Sequence, residues 1–424
     1  MVSTSITGLG GCQEVGRSSF LLDYGKKILF DNGIKLGQGG TEYPLPIKTN
    51  LDGVVISHAH LDHSGNLPHL FTDSNFLCYM TPPTLDIAKI LWFDTLKISS
   101  YEGIDPGWSV EEIRKTERFT FPLNYRRPMD ITQGSQLEFF DAGHIIGSAM
   151  AKVSFGDKSF LYTGDFKKDE TRLFSGADLD VGKVDYVAIE STYGDREHPS
   201  RKDVEKRFVE EVQDTIDRGG WALVPAFAVG RSQEIIEILK EYKVNAPVYF
   251  DGMGQKAARV MLSYPKYLKN HKFLKKALDD TVWVKRESFR KRALKEPSVI
   301  VTTAGMLQGG PAMSYLKGMY NDENSSVLLT GYQVEGTKGR ILMDTKTIDI
   351  DNENYRIRGR VEKFDFSAHA SQHEMLDSLK KWAPSKVFLI HGDKDVMPVF
   401  KEKIEVGLGI DTVILEAGKK TPLE

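Results

Sequence analysis

The stretch His58-Ala59-His60-Leu61-Asp62-His63 determines most of what the sequence predicts. Four of its six side chains carry an imidazole nitrogen or a carboxylate oxygen, and both are good ligands for zinc. Four ligands so close together are too many for one ion that must also keep a position open for water. The pattern therefore predicts a site shared by two metal ions. A polar loop that is rich in histidine by chance is the alternative, but the stretch holds three of only ten histidines in the chain, which favours the metal site.

Further candidate ligands follow other predicted strands. The apolar run Gly53-Val54-Val55-Ile56 leads into the histidine stretch, and sites of layered α/β folds lie at the carboxyl ends of strands. Seven candidates fit two ions: His58, His60 and His144 for one, and Asp62, His63 and His391 for the other, with Asp165 between them. Asp31 follows a strand of a predicted hairpin. We expect it to hydrogen-bond a ligand histidine from behind rather than only to cap the hairpin.

Length and composition limit the class of protein. A chain of 424 residues exceeds the usual size of one domain, so two domains are expected. No apolar run approaches the roughly 20 residues that span a bilayer, and the start, Met1-Val2-Ser3-Thr4-Ser5-Ile6, lacks the features of a secretory signal. Cys12 and Cys78 form no Cys-x-x-Cys pair, which argues against a disulfide framework or a thiolate metal site. We therefore expect a cytoplasmic protein that does not bind membranes.

Charge is distributed unevenly along the chain. The formal net charge is only −3, but the segment from Met253 to Lys295 holds thirteen Lys or Arg and three Asp or Glu. Such a segment predicts either a polyanionic partner or solvated helix faces. Charge alone leaves both interpretations open.

The pattern of secondary structure changes near Asp195. Short strands and hairpins dominate before it, whereas helices and strands alternate after it, which predicts βα units and a parallel sheet in a second domain. Helices are predicted over 84–99, 109–119, 202–218, 232–242 and 371–382, and strands over 53–56, 221–225, 298–302 and 386–390.

Motifs along nearly the whole chain resemble one family. The histidine stretch with His144, Asp165 and His391 resembles the metallo-β-lactamase fold, an αββα sandwich that carries two zinc ions. Three further motifs resemble those of its β-CASP branch, which are nucleases: Glu190-Ser191-Thr192-Tyr193-Gly194, Ser367-Ala368-His369 and Ile390-His391-Gly392-Asp393. Within this branch the chain most resembles archaeal relatives of the nuclease subunit of the cleavage and polyadenylation specificity factor, in a short form without KH domains.

The resemblance implies a fold and its domain boundaries. We expect a metallo-β-lactamase αββα sandwich with an inserted α/β β-CASP domain that contains a parallel sheet. The first part of the metallo-β-lactamase domain is predicted over 1–192, the β-CASP insert over 193–362 and the completion of the first domain over 363–424.

The resemblance also implies a reaction. Two Zn²⁺ per chain would activate water for attack on phosphorus, cleaving single-stranded RNA to 5′-phosphate and 3′-hydroxyl ends. His369 is the candidate general acid for the leaving 3′ oxygen, and Glu190 would keep its imidazole oriented and charged. Asp31 and Asp62 complete the predicted catalytic set. Without the motif around it, His369 would be interpreted as a structural histidine at the start of a helix.

Glycine-rich loops that follow strands can offer backbone N–H groups to phosphates. The residues predicted in this way to bind RNA are Gly230, Arg231, Gly305, Met306, Gly309, Gly310 and Gln333. Turns needed only for packing are the alternative.

Several functional alternatives stay open at this stage. An endoribonuclease of RNA 3′-end processing or decay is the leading interpretation. A 5′→3′ exoribonuclease resembling ribonuclease J and a partner subunit that binds RNA without cleaving it are the others. A homodimer, and an assembly with other RNA-processing nucleases of the family, are the states of association that the resemblance suggests.

Overall fold

A computed structural model describes residues 4–37 and 40–424, and these residues form two compact units. The first unit consists of the chain up to Glu197 together with Ala368–Glu424, and the second unit is His198–Ser367. The boundaries predicted at 193 and 362 each fall a few residues before these divisions, and the assignment of the units as domains stays a prediction. Within the described residues, no helix combines the length and apolar character that crossing a membrane would need.

The first segment of the first unit is rich in short strands. Its strands are β1 (Ser5–Gly10), β2 (Ser19–Asp23), β3 (Lys27–Phe30), β4 (Lys35–Gly37), β5 (Gly40–Glu42), β6 (Gly53–Val55), β7 (Cys78–Met80), β8 (Thr120–Pro122), β9 (Met129–Thr132), β10 (Ser135–Asp141), β11 (Ala149–Phe155), β12 (Lys158–Tyr162) and β13 (Tyr186–Glu190). Its helices are α1 (Leu61–Ser64), α2 (Pro82–Glu102) and α3 (Val110–Phe119). The predicted hairpin is the pair β2 and β3.

The second unit alternates helices and strands, as predicted. Its strands are β14 (Trp221–Pro225), β15 (Val248–Asp251), β16 (Val282–Trp283), β17 (Ser298–Thr302), β18 (Ser326–Leu329), β19 (Thr347–Ile350), β20 (Glu353–Arg356) and β21 (Arg360–Lys363). Its helices are α4 (Arg201–Asp217), α5 (Arg231–Glu241), α6 (Gly254–Ser263), α7 (His271–Asp279), α8 (Glu287–Ala293), α9 (Pro311–Met319) and α10 (Lys338–Thr345).

The last segment completes the first unit. It consists of α11 (Gln372–Trp382), β22 (Lys386–Ile390), α12 (Val396–Leu408), β23 (Asp411–Ile414) and β24 (Lys420–Pro422).

Two seven-stranded sheets form the first unit, with the strand orders β24-β1-β2-β3-β6-β7-β8 and β23-β22-β13-β12-β11-β10-β9. Because side chains alternate between the faces of a strand, Phe160 and Tyr162 of β12 enter the core that both sheets share, whereas Leu161 enters a second core. That second core also contains residues of α11 and α12, such as Trp382 and Phe400. The predicted metallo-β-lactamase sandwich is confirmed.

One six-stranded sheet forms the centre of the second unit, with the order β16-β15-β17-β14-β18-β21. Every neighbouring pair in it is parallel, which confirms the predicted parallel sheet. Its central strands are apolar because helices connect parallel strands across both faces. All five residues of β17, for example, are buried.

Candidate metal centre and active site

Strand direction brings the predicted site residues of the first unit to one edge. Strands β12, β13 and β22 are neighbours in one sheet and run parallel, so their carboxyl ends meet. Asp165 follows β12, Glu190 is the last residue of β13, and His391 follows β22. The antiparallel pairings through β11 give β10 the same direction as β12, which places His144 at this edge as well.

Three ring nitrogens form a first donor group. His60 Nδ1 lies 3.2 Å from His58 Nε2 and 3.1 Å from His144 Nε2. The other ring nitrogens of two of these residues have their own partners: His58 Nδ1 lies 3.0 Å from Ser57 Oγ, and His144 Nδ1 lies 2.8 Å from the Ala368 carbonyl oxygen. These outer contacts turn the Nε2 atoms of His58 and His144 towards His60.

Asp62, His63, Asp165 and His391 form a second group whose potential ligand atoms lie within 4.8 Å of one another. Asp62 Oδ2 is 3.4 Å from His391 Nε2, and Asp165 Oδ1 is 3.3 Å from His63 Nε2. Asp62 has the most exposed side chain of the four, with 32% of its surface accessible. The other three are buried.

Asp165 lies between the two groups. Its Oδ2 atom faces the first group, at 3.7 Å from His58 Nε2 and 3.9 Å from His144 Nε2. Its Oδ1 atom faces the second group, at 3.3 Å from His63 Nε2 and 3.2 Å from His391 Nδ1. One carboxylate therefore has one oxygen available to each group.

The donor atoms fit divalent metal ions. Two nitrogens bound to one tetrahedral zinc lie about 3.3 Å apart, given zinc–nitrogen bonds of about 2.0–2.1 Å, and the spacings of 3.2 and 3.1 Å around His60 agree. In the second group, His63 Nε2, Asp165 Oδ1 and His391 Nε2 are buried without a hydrogen-bond partner among the described residues. Buried polar atoms are rarely left unsatisfied, so a cation that accepts their lone pairs explains all three.

Asp31 lies behind the second group. It is fully buried, and its Oδ2 atom accepts hydrogen bonds from His63 Nδ1 at 2.7 Å and from the Tyr162 hydroxyl at 2.6 Å. Its Oδ1 atom accepts a hydrogen bond from the Ser57 backbone N–H at 2.7 Å. These contacts fix the proton of His63 on Nδ1 and leave Nε2 with a lone pair for a metal.

His369 lies beside the two groups and contacts Glu190. Its Nδ1 atom is 3.0 and 3.1 Å from the two carboxylate oxygens of Glu190 and 3.8 Å from Asp165 Oδ2. Glu190 is fully buried and accepts a hydrogen bond from the Phe166 backbone N–H at 2.9 Å. Burial lowers the pKa of His369, but the charges of Glu190 and Asp165 outweigh burial and raise it to about 9. The imidazole therefore has a partner that favours its charged form.

Sequence reasoning missed several residues that support the site. Glu374 of α11 binds Lys167 Nζ at 2.5 Å, accepts from the backbone N–H of Asp169 at 2.9 Å and caps its own helix through Ser371. These contacts join the chain that follows Asp165 to the helix that follows His369. Tyr162, the partner of Asp31, was likewise not predicted. Its position directly before Thr163-Gly164-Asp165 at the end of β12 was the only available signal.

The residues predicted to bind RNA through loops belong to the second unit. Gly230 has a positive φ of 84° and precedes α5. Arg231 is buried and pairs with Glu234, and Gln333 is buried and donates to the carbonyl oxygens of Gly305 and Gly331. Met306, Gly309 and Gly310 lie in the loop between β17 and α9. Their role in RNA binding stays a prediction.

Comparison with known families identifies three segments. The model described as "Beta-Casp domain" matches residues 232–342, and that described as "Zn-dependent metallo-hydrolase RNA specificity domain" matches residues 354–415. The model described as "Anti-Pycsar protein Apyc1" matches residues 8–181.

Similar proteins extend over nearly the whole chain. A probable RNase of Methanocaldococcus jannaschii, MJ4, is 38% identical over 97% of this chain and 98% of its own length. The RNase aCSPSF2 of Saccharolobus solfataricus is 36% identical over 98% of this chain and 84% of its own length. The transcription termination factor FttA of Methanosarcina mazei is 34% identical over 96% of this chain and 70% of its own length.

A solved structure has the same fold. A protein of unknown function from Enterococcus faecalis V583 superposes with a TM-score of 0.62 at 15% identity and covers 99% of this chain and 100% of its own.

Proposed function

The chain belongs to the β-CASP family of proteins with the metallo-β-lactamase fold, and from this premise we propose that it is a zinc-dependent ribonuclease. It would hydrolyse RNA phosphodiester bonds to 5′-phosphate and 3′-hydroxyl ends, most simply as an endoribonuclease. Two of the relatives are named RNases, and the segment 354–415 matches a family described as an RNA specificity domain. These names support RNA as the substrate.

The contact between His369 and Glu190 carries the proposal. Two groups of histidine and aspartate ligands suit many two-metal hydrolases, so they do not by themselves indicate a nuclease. Hydrolysis of a phosphodiester also requires a proton for its leaving 3′ oxygen. A histidine held at 3.0 Å by a buried glutamate beside both donor groups is suited to supply that proton.

Bound zinc would supply Lewis-acid activation of a water molecule and of the phosphodiester. His58, His60 and His144 would hold one ion, Asp62, His63 and His391 the other, and Asp165 both. Glu190 would keep Nδ1 of His369 protonated and oriented, so that Nε2 is the nitrogen that protonates the leaving oxygen. Asp31 would act as a positioning residue through His63.

A pair of histidine variants tests this proposal. His369→Ala should lower the rate of cleavage of single-stranded RNA by about 10²- to 10⁴-fold, the usual contribution of a general acid. His373→Ala is the matched control, because His373 follows four residues later in α11 and its side chain is 71% exposed. Equal activity of both variants would contradict the assignment of His369. Zinc content and thermal unfolding should be the same in both.

A 5′→3′ exoribonuclease is a second candidate, because a protein of Methanocaldococcus jannaschii named RNase J-like protein is 35% identical over 98% of both chains. A circular single-stranded RNA separates the candidates, since it offers no end. Its cleavage would support the endonuclease. Cleavage only of linear RNA, with a rate that depends on a 5′-hydroxyl, monophosphate or triphosphate, would support the exonuclease.

A further inference from the structure

The second unit carries a cavity that the proposed reaction does not use. Its volume is about 500 Å³, and its lining residues are Arg259, Thr281, Val282, Trp283, Lys285 and Phe289. Trp283 lies in β16, the strand at the edge of the parallel sheet, and pairs with Phe250 of β15. The whole cavity lies within the segment from Met253 to Lys295, which has ten more basic than acidic residues.

The indole of Trp283 is fixed in place but remains partly exposed. Its Nε1–H donates to the Leu278 carbonyl oxygen at 3.1 Å, and its ring meets Phe250 edge-on at 5.6 Å. The Arg259 guanidinium lies 5.0 Å from the centre of the same ring. Phe289 lines the cavity from α8 and is also partly exposed. The cavity therefore presents one fixed indole and a second aromatic side chain next to a cation.

Some of the basic residues of the segment lie at this cavity, where Arg259 and Lys285 line it. The three acids of the segment are each paired with a basic side chain: Asp279 with Lys275, Asp280 with Lys240 and Glu287 with Arg290. Arg259 and Lys285 at the cavity are exposed and form no ion pair with a described residue, and the same holds for Arg286, whose guanidinium lies 5.9 Å from the centre of the Phe289 ring. Unpaired cations attract phosphates, whereas paired ones largely do not.

We propose that this cavity binds single-stranded RNA outside the catalytic site, with a base stacked on Trp283 and Phe289 and the neighbouring phosphates on Lys285 and Arg286. Aromatic side chains inside a basic groove are how proteins hold single strands without reading their sequence. An acidic protein would use the cations but would leave the aromatic rings without a role. The proposal deepens the proposed function, from which the choice of RNA comes.

The aromatic contact is tested in chelator-treated protein, where cleavage cannot interfere. The probe is a fluorescein-labelled single-stranded oligouridylate, and its affinity is measured by anisotropy. Trp283→Ala should weaken binding by roughly tenfold or more, the usual effect of losing one stacking surface. Trp221→Ala is the matched control, because Trp221 is also a partly exposed tryptophan of the second unit but does not line the cavity. Thermal unfolding of both variants shows whether either has lost its fold.

The charged contact is tested with substitutions at exposed positions, which avoid the risk of unfolding. Lys285→Ala should lower the slope of log affinity against log salt by about 0.7, the value for one phosphate contact to a single strand. Lys272→Ala, in the same basic segment but outside the cavity, should leave the slope unchanged. An equal effect of both lysines would overturn the proposal, because it would show only general attraction by the segment.

Other outcomes also decide the proposal. The proposal fails if Trp283→Ala binds the labelled oligouridylate as tightly as Trp221→Ala does. It also fails if polyglutamate displaces the labelled probe as well as unlabelled RNA does, and to the same extent from both tryptophan variants. These results are independent of the cleavage assay. If zinc-loaded protein cleaves RNA but substitution of Trp283 or Lys285 does not change binding, the proposed function stands and the proposed cavity site is wrong. If the substitutions weaken binding but zinc-loaded protein does not cleave RNA, the cavity site stands and the proposed function is wrong.

Discussion

At the scale of single residues, the hydrogen bonds behind the proposed ligands decide which atoms face the metal positions. Asp31, Ser57 and the Ala368 carbonyl oxygen each contact the outer ring nitrogen of one histidine. A histidine whose outer nitrogen is occupied presents the other nitrogen as a fixed lone pair. Metal affinity should therefore depend on residues that never contact the metal.

Asp31→Asn tests this dependence. The variant removes the charge that His63 contacts at 2.7 Å, so we expect zinc affinity about 10- to 100-fold weaker, measured by competition with a chromogenic chelator. Asp52→Asn is the control, because Asp52 accepts a backbone hydrogen bond from Lys27 in the same unit but lies apart from both donor groups. Unchanged zinc affinity in Asp31→Asn would show that His63 needs no such support.

The pH dependence of cleavage follows from the pair of His369 and Glu190. A general acid must be protonated, so activity should fall as pH rises through the pKa of His369, which its carboxylate neighbours raise to about 9. Bound cations near Asp165 oppose that rise. Glu190→Gln removes a negative charge beside the ring and should move the fall in activity to lower pH.

The measurement is the pH–rate profile, and Glu197→Gln serves as its control. Glu197 accepts a hydrogen bond from the His373 backbone N–H and belongs to neither donor group. A shift of the Glu190→Gln profile to higher pH would contradict the assigned role of Glu190.

At the scale of secondary structure, α3 and α11 begin with the same kind of capping box, but only α11 directly follows a proposed catalytic residue. Ser109 and Glu112 cap α3, whereas Ser371 and Glu374 cap α11 directly after His369. Only Glu374 also binds Lys167 and the backbone of Asp169. It should therefore act as a positioning residue for His369.

Glu374→Ala and Glu112→Ala form a matched pair. Both remove a capping interaction, which should lower the free energy of unfolding by about 1 kcal/mol. Glu374→Ala should lower it further, because it also leaves the Lys167 ammonium without its buried partner. Only Glu374→Ala should also slow RNA cleavage, by about tenfold to a hundredfold, because small displacements of a reacting group are costly. We expect Glu374→Ala to lower the cleavage rate at saturating RNA. His373→Ala, a second substitution in α11, should not lower this rate. Equal rates in both glutamate variants would reduce Glu374 to a helix cap.

Local patterns explain which parts of the fold the sequence could predict. The strands 221–225, 298–302 and 386–390 were correct to the residue, because buried parallel strands are continuous apolar runs between turns. Helices α6, α7 and α8 were not predicted, because their many Lys and Arg residues hide a narrow apolar face. In α7 only Leu274, Ala277 and Leu278 are buried.

Long-range contacts explain what the sequence could not predict at the site. Tyr162 is separated from Asp31 by 131 positions, and Glu374 from Lys167 by 207. The periodicity of apolar residues in the sequence does not indicate such distant pairs. A histidine or an aspartate that follows an apolar strand, in contrast, can be recognised from neighbouring residues alone. The candidate ligands could therefore be named from the sequence, and the residues that orient them required the fold.

At the scale of the whole molecule, all seven candidate ligands belong to the first unit, although they come from both of its segments. Metal binding should therefore stabilise this unit locally. Ligands that bind only the folded state stabilise it by mass action. Removing zinc should therefore destabilise the first unit, and this loss of stability should be confined to the loops that carry the donor residues.

Hydrogen exchange with and without a chelator measures this effect. Amides over 57–66 and 391–395 should exchange more slowly in the zinc-loaded protein, whereas β14 and β17 of the second unit should not change. Equal protection of both units by zinc would contradict a site confined to the first unit.

The central claim is that water attacks phosphorus with the 3′ oxygen as the leaving group, and cleavage in ¹⁸O-labelled water tests it most directly. Zinc-loaded protein should convert single-stranded RNA to fragments that carry one ¹⁸O in the new 5′-phosphate and an unlabelled 3′-hydroxyl, and chelator should abolish both products. Mass spectrometry of the fragments reads the result. A 2′,3′-cyclic phosphate with an unlabelled 5′-hydroxyl, or cleavage that persists in chelator, would contradict the account.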